Sequence, residues 1–451
     1  MRLGRADQRV SAGERFEAQG APARAEREYR AALEIAPRHT LALNNLGLLL
    51  AARGRFADAA PLFRRASLAD PSAAVFQANL AGALREMGDE AGAQAAYQRM
   101  LSLDPASPMA PLNLANLLRS RGALDEARPY YQALLRQNPA DRTALWNLAA
   151  LEGLAGSLTA AFAGFARFHA LSPAAPRFPF PKWNGEALEG RRLLLDADQG
   201  LGDTLMFARY ASVLRDRGAR VILRAQAELA GLLRGVEGLE AVVARGEPIP
   251  AADAWFPLVD LPVFLGAPMS APRPYLAPAA ERVAVWERRL APGSAARVGF
   301  VWAGNPGHPD DRNRSLPLEI LLRPLPALEG VEFVSLQKGP RASEADGTPL
   351  ARADRQIDDF EDTAAVIAGL DLVISADTSV LHLAGAMGRP VWGLIPFAPD
   401  WRWMLARADS PWYPTLTLFR QPTPRAWPAV AEAVAAALRE FLAFNPLKPP
   451  S

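Results

Sequence analysis

No cysteine occurs among the 451 residues. That excludes disulfides, thiolate nucleophiles and Cys-ligated zinc, and it accords with a reducing cytoplasm, the expected location. Lysine is nearly as scarce: three of the 50 cationic residues are lysines and the others are arginines. The four histidines, His39, His169, His308 and His382, have no HExxH spacing, so neither a metal site nor a metal cofactor is expected. No apolar run approaches the ~18 residues that a membrane span needs. The start, Met1-Arg2-Leu3-Gly4-Arg5-Ala6-Asp7, runs into a charged helical pattern with no apolar signal region. An excess of one charge is missing too. Cations against anions count 20 to 16 over residues 1–173 and 30 to 32 over residues 174–451. Neither half offers the basic surface that nucleic-acid binding requires.

What is present is half hydrophobic and 22% charged, the composition of folded domains rather than disorder. At this length more than one domain is expected. Residues 1–173 repeat with a period of 34. Prolines recur at Pro37, Pro71, Pro105, Pro139 and Pro173, and glycines at Gly20, Gly54, Gly88, Gly122 and Gly156. Ala25, Ala59, Ala93, Ala127 and Ala161 keep the same phase, as do the aromatics Tyr29, Phe63, Tyr97, Tyr131 and Phe165. The glycine serves a tight turn between two short helices, and the alanine permits close helix approach. The aromatic is expected to fill the groove against the next repeat, and the proline stops the second helix. The pattern resembles the tetratricopeptide repeat family, which implies an α-solenoid of five helix pairs with a concave face.

A further column, Asn45, Asn79, Asn113 and Asn147, with Ser11 in the first unit, lies on the first helix of each pair. Carboxamides in such a ladder can donate to and accept from an extended peptide backbone. Similar ladders line the repeats of O-GlcNAc transferases, where they grip protein substrates. The alternative is that the asparagines bond neighbouring helices.

Residues 174–190 are proline-rich, reading as a stiff connector whose phenylalanines pack on a neighbouring lobe. From Arg191 strand and helix patterns alternate, as in an α/β domain with parallel sheets. Strands are expected at Arg192–Ala197, Val221–Leu223, Ala241–Val243, Val298–Trp302, Phe333–Leu336, Asp371–Ser375 and Val391–Leu394, with a helix over Thr204–Arg217. A second proline-rich stretch, Pro268–Pro278, marks a lobe boundary. The organisation expected is two Rossmann-like lobes of the GT-B type, residues 191–285 and 286–445, with a cleft between them.

Four segments carry the chemistry: GLGDTLMFARY at 200–210, VWAGNPGHPDDRNRSLP at 301–317, SLQKG at 335–339 and SADTSVLHLAGAMGRPVWGL at 375–394. In the first, Gly200 and Gly202 make a tight loop after a strand. Leu205 stands where a dinucleotide fingerprint needs a small residue, and no Walker lysine follows, which argues against NAD or ATP chemistry. Asp377-Thr378-Ser379 opens a helix directly after a strand, a place where free N–H groups and the helix dipole attract phosphate. In order and spacing the four segments resemble the heptosyltransferase-type family, glycosyltransferase family 9.

The resemblance implies a metal-independent, inverting transferase that takes its sugar from a nucleotide-activated donor. It places the catalytic aspartate at Asp203, which would accept the acceptor hydroxyl's proton; the competing reading of Asp203 is a helix cap. It places the donor diphosphate at Asp377, Thr378 and Ser379, where the family has glycine in the position of Ser379, and His382 one turn on. Arg312, Arg314 and Lys338 follow strand ends and would offset charge on the leaving nucleotide, with Asn305 and Gln337 as sugar or base contacts. Trp392, Trp401, Trp403 and Trp412 are read as packing for the C-terminal crossover. The expected function is glycosyl transfer to a protein hydroxyl held by the repeats, flagellin-modifying transferases being one candidate class. A lipopolysaccharide-like acceptor, with the repeats as a docking module, and a scaffold with a degenerate transferase half are the two alternatives.

Overall fold

A computed structural model describes residues 2–172, 178–266, 273–290, 296–325 and 331–444. Pro173, part of the connector and the first half of the 268–278 stretch lie outside these. The chain divides into two compact units, Met1–Leu148 and Ala149–Ser451. The division falls inside the fifth repeat.

Ten helices form the repeats among the described residues: α1 (Arg2–Ala18) with α2 (Pro22–Ile35), α3 (Thr40–Ala51) with α4 (Phe56–Ala69), α5 (Ala74–Glu86) with α6 (Glu90–Leu103), α7 (Met109–Ser120) with α8 (Leu124–Gln137), and α9 (Arg142–Leu154) with α10 (Leu158–Ala170). The periodic residues explain the pairs. The five turn glycines have φ between 68° and 83°, a conformation that other residues adopt at a cost. The five alanines are fully buried. The aromatic column differs from expectation, because Tyr29 and Phe63 press on the first helix of their own repeat. A Cβ on Gly13 would lie 2.4 Å from Tyr29, and one on Gly47 would lie 2.6 Å from Phe63.

The second unit holds two parallel sheets. The first contains β1 (Arg192–Asp196), β2 (Arg220–Ala225), β3 (Leu239–Ala244) and β4 (Ala254–Pro257), in the order β3-β2-β1-β4. Helices α11 (Leu201–Phe207), α12 (Tyr210–Asp216), α13 (Ala227–Leu233) and α14 (Pro262–Leu265) accompany it. The expected single helix over Thr204–Arg217 is thus two short ones, beginning three residues earlier. Leu193, Leu194 and Leu195 of β1 are all buried, as both faces of a parallel strand are covered. Phe178, from the connector, packs on Trp255 of β4 with ring centroids 5.0 Å apart.

Helix α15 (Ala280–Arg289) leads to the second sheet. Its elements are β5 (Ala296–Val301), α16 (Asp311–Arg314), α17 (Leu318–Leu322), β6 (Val331–Ser335), α18 (Phe360–Ala368), β7 (Leu372–Ala376), α19 (Ser379–Ala386), β8 (Val391–Ile395), β9 (Leu416–Arg420) and α20 (Trp427–Phe444). The strand order is β6-β5-β7-β8-β9. Val298, Phe300, Leu372, Ile374 and Leu394 form its core with Val434 and Leu438 of α20. The seven expected strands are present; β4 and β9 are additional.

The four tryptophans pack, as expected, but only one serves the C-terminal crossover. Trp392 meets Phe419 and Phe441. Trp401 and Trp412 instead meet Phe162 of α10, at 5.6 and 6.4 Å. Gly153 of α9 lies so close to Trp401 that a Cβ there would come within 2.9 Å. These contacts explain why the end of the fifth repeat groups with the α/β unit.

Candidate active site

The carboxyl ends of β5, β6 and β7 open into three loops, the usual ligand position in a parallel α/β sheet. Together they line a cavity of about 540 Å³ with Gly304 and Asn305 after β5, Lys338 and Gly339 after β6, and Thr378 and Ser379 after β7. Leu201 and Glu228, from the first sheet's helices, close its other side.

Helix α19 points its first turn into this cavity. Thr378 is the N-cap, yet its side chain makes no capping bond; its hydroxyl lies 3.1 Å from that of Ser375. The Leu381 N–H bonds the Thr378 carbonyl at 3.1 Å, which leaves the Ser379 and Val380 N–H groups at the start of the helix to meet an anion. Arg314 approaches from α16. Its Nη1 donates to the Asp377 carbonyl at 3.0 Å, while Asp311 lies 3.5 Å from its Nε. Two buried donors near this turn face carboxyl groups without a full hydrogen bond, Arg314 Nε towards Asp311 and Trp403 Nε1 towards Asp377.

Asp377 is half-buried. Burial, with the neighbouring Asp400 carboxylate adding to it, pushes its carboxyl up to about 6. Asp203 occupies the N3 position of α11. Its Oδ2 accepts from the Gly200 N–H at 3.2 Å, which is the capping role, and its Oδ1 pairs with Arg402. Gly200 and Gly202 make this loop possible: a Cβ on Gly202 would lie 2.8 Å from the His382 ring.

Several expected contacts have another role. Gln337 is buried, and backbone groups use its whole amide. Oε1 accepts from Trp302 and Ala303 at 3.0 and 2.9 Å, and Nε2 donates to the carbonyls of Ala303 and Lys338, both at 2.9 Å. It is a strut between the β5 and β6 loops, without a donor left for sugar or base. His382 is also interior. Its Nδ1 lies 2.9 Å from the Tyr413 hydroxyl, and its ring stacks on Trp403. Burial, reinforced by Arg402 and Arg209, holds the imidazole neutral, and its ring packs against the Gly202 loop. The Lys338 ammonium donates to the carbonyls of Asp354 and Ile357 at 2.9 and 2.7 Å, and so clamps the loop before α18. Arg312 is exposed and Arg314 half-buried; neither lines the cavity, and Arg314 meets the turn before α19 through the Asp377 carbonyl. Asn305 is exposed at the rim, its Oδ1 accepting from the Gly307 N–H.

Sequence reasoning missed Arg402, Asp400 and Glu228. The signal for the first two was the run Asp400-Trp401-Arg402-Trp403, an arginine held between two tryptophans and preceded by a carboxylate.

The repeat face also became concrete. Asn45, Asn79, Asn113 and Asn147 are all half-buried. Asn79 donates to Asn44 at 2.7 Å and Asn45 to Glu14 at 3.2 Å, so part of the column bonds neighbouring first helices. One turn before three of these asparagines, on the same helix face, stand Leu41, Val75 and Met109, exposed by 52%, 53% and 54%.

Comparison with known proteins agrees with both parts. Residues 11–74, 45–108 and 84–151 match tetratricopeptide repeat models. Residues 359–402, which include α18, β7, the start of α19 and Arg402, match the glycosyltransferase family 9 (heptosyltransferase) model. Protein FlbA of Caulobacter vibrioides is 30% identical over 311 residues, 62% of this chain. The chain spans about half of that relative's length, 52%. Among solved structures, a MamA protein (20% identical, TM-score 0.35) overlays 37% of this chain and 91% of its own. YrrB, described as a TPR protein with an unusual peptide-binding site, is 19% identical with a TM-score of 0.34 over 37% of this chain and 86% of its own. No described helix is long and apolar enough to cross a membrane. The chain joins an array of tetratricopeptide repeats to an α/β unit in which residues 359–402 match the glycosyltransferase family 9 model.

Proposed function

We propose that this protein is a GT-B glycosyltransferase that moves a sugar, with inversion, from a nucleoside-diphosphate donor to a hydroxyl on a protein. The observation that carries the reading is the cavity at the ends of β5, β6 and β7, entered by the uncapped start of α19, with the Arg314 guanidinium and the Trp403 indole N–H beside Asp377 just behind it. A diphosphate fits those groups chemically, and they offset its charge without requiring a metal.

In the transfer, the acceptor oxygen forms a bond to the anomeric carbon as the bond to the diphosphate breaks. The bonding pair leaves with the nucleoside diphosphate, and the hydroxyl proton passes to the Asp203 carboxylate. The acceptor is held by the repeats, where apolar Leu41, Val75 and Met109 alternate with the carboxamides of Asn45, Asn79 and Asn113. That pairing suits an extended, uncharged segment: the amides bond its backbone and the apolar column covers its side chains. A flagellin-like protein in the cytoplasm is the acceptor class favoured. The family 9 match supports a second reading, a glycan acceptor of lipopolysaccharide type.

The test is a thermal-shift screen of the full chain against UDP, GDP, ADP, CMP and their sugar conjugates. A nucleotide at a hundred times its Kd adds about 2.7 kcal/mol. With the donor identified, Asp203→Asn should abolish transfer without loss of donor binding; retained turnover refutes Asp203 as base. Silence across the panel from a folded protein refutes the donor site and favours a scaffold.

A further inference from the structure

We propose that Arg402 is a positioning residue that couples donor binding to the arming of Asp203: its guanidinium clasps Asp203 and Asp400 until a diphosphate competes for it. The inference rests on the donor site and base assigned above.

The pair joins elements of the two sheets. Asp203 belongs to α11, which follows β1, and Arg402 to the turn between β8 and β9. Both side chains are largely enclosed, exposed by 19% and 16%. Arg402 Nη1 also reaches Asp400 at 2.7 Å, and its guanidinium lies over the Trp401 ring, 4.6 Å from the centroid. The main chain at this point is fixed, since the Trp412 indole donates to the Arg402 carbonyl at 2.8 Å. Only the tip of the side chain, held by carboxylates, is left to change partners.

Three carboxyl groups, Asp203, Asp377 and Asp400, share the region with two guanidinium groups, Arg314 and Arg402. An anion entering beside Asp377 therefore meets carboxylates whose countercharge is already engaged. It binds well only if it wins a guanidinium, and Arg402, already within the field of Asp377, is held by side chains alone, whereas Arg314 is held by a backbone carbonyl. The consequence for Asp203 is direct. While Arg402 holds it, Oδ1 of Asp203 is occupied and not free to meet an acceptor hydroxyl. When Arg402 turns to phosphate, Oδ1 is freed, while the Gly200 N–H still holds Oδ2 and keeps the carboxylate aimed. Donor binding thus releases Asp203 from its ion pair, and by reciprocity the Asp203–Arg402 pair weakens donor binding.

The experiment measures Kd by calorimetry for the full-length chain, using UDP, GDP and ADP as probes and the one that binds for comparison. Asp203→Asn should tighten binding roughly threefold to tenfold by removing a competitor for Arg402. Arg402→Gln should weaken it about tenfold or more. In the Arg402→Gln background, Asp203→Asn should make no further difference. Unchanged or weaker binding by Asp203→Asn overturns the proposal, as does equal tightening with and without Arg402, which would mean plain repulsion of the anion. Should Arg402→Gln fail to fold, Asp400→Asn replaces it. It frees the same guanidinium and should tighten binding as well, and no change overturns the inference. Absence of binding by every variant refutes the donor site itself, a different result from binding that is indifferent to Asp203.

Discussion

His169 of α10 and Asp260 after β4 are joined by a 2.6 Å contact between Nδ1 and Oδ1, with the carboxylate only 2% exposed. This is a buried polar link between the last repeat helix and the first sheet's lobe, and it lies where Phe162 and Phe165 also pack into the α/β unit. Asp260 Oδ2 and His169 Nε2 are buried without a partner, so the Nδ1–Oδ1 contact is the one hydrogen bond these two side chains make among the described residues. Removing the imidazole strands a buried carboxylate. His169→Ala should cost about 3 kcal/mol and Asp260→Asn less than half of that. Urea unfolding followed by far-UV circular dichroism checks this; equal midpoints for wild type and His169→Ala would contradict it.

Asp377 makes stability depend on pH. Its carboxyl stands at about 6 in the folded chain, against an ordinary value of 3.8. The folded state holds this proton more tightly than the unfolded one, so stability present below pH 4 is lost as pH rises through 6. Asp377→Asn removes the loss. The variant should melt close to wild type at pH 4 and higher at pH 7, by about 1–2 kcal/mol once partial exposure is allowed for. A gap that shrinks between pH 4 and 7 would reverse the assignment.

Gln337 tests the strut role directly. Gln337→Ala leaves two buried N–H groups and two carbonyls without their side-chain partner, and should destabilise by about 2–4 kcal/mol. Were Gln337 mainly a ligand contact, the variant would melt normally and lose only nucleotide affinity.

The Gly202 loop leaves no room for a methyl group. Gly202→Ala places a Cβ 2.8 Å from His382 Cδ2, and should cost about 1–3 kcal/mol as α11 and α19 are forced apart. The double variant with His382→Ala should recover part of the loss, measured as a coupling energy in a double-mutant cycle.

The repeat face separates acceptor binding from donor binding. Leu41→Ser, Val75→Ser and Met109→Ser together alter exposed positions only, so stability should move by no more than about 0.5 kcal/mol per site. Nucleotide affinity should be unchanged and protein modification lost. Modification at the wild-type rate would remove the repeats from acceptor recognition.

What the sequence determined is what local chemistry repeats or patterns. A 34-residue period with glycine at positive φ and alanine at the helix contact leaves little but paired helices, since each pair buries its apolar face only by stacking. The short apolar runs ending in Gln199-Gly200, Ala303-Gly304, Lys338-Gly339 and Asp377-Thr378 likewise read as parallel strands with loops at their carboxyl ends. Two strands escaped: Ala254-Trp255-Phe256-Pro257 is only four residues with a terminal proline, and Leu416–Arg420 is a five-residue run embedded in a stretch with Pro411, Pro414, Pro422 and Pro424. Tertiary structure alone decided which polar groups are free for chemistry. Gln337 follows a strand end where the resemblance implies a ligand contact, yet neighbouring backbone uses its whole amide, and His382 is buried with its Nδ1 on Tyr413. Asp203 and Arg402 are 199 positions apart. No local pattern records that a guanidinium from one sheet ends on a carboxylate from the other, because that meeting is fixed by how the two sheets pack.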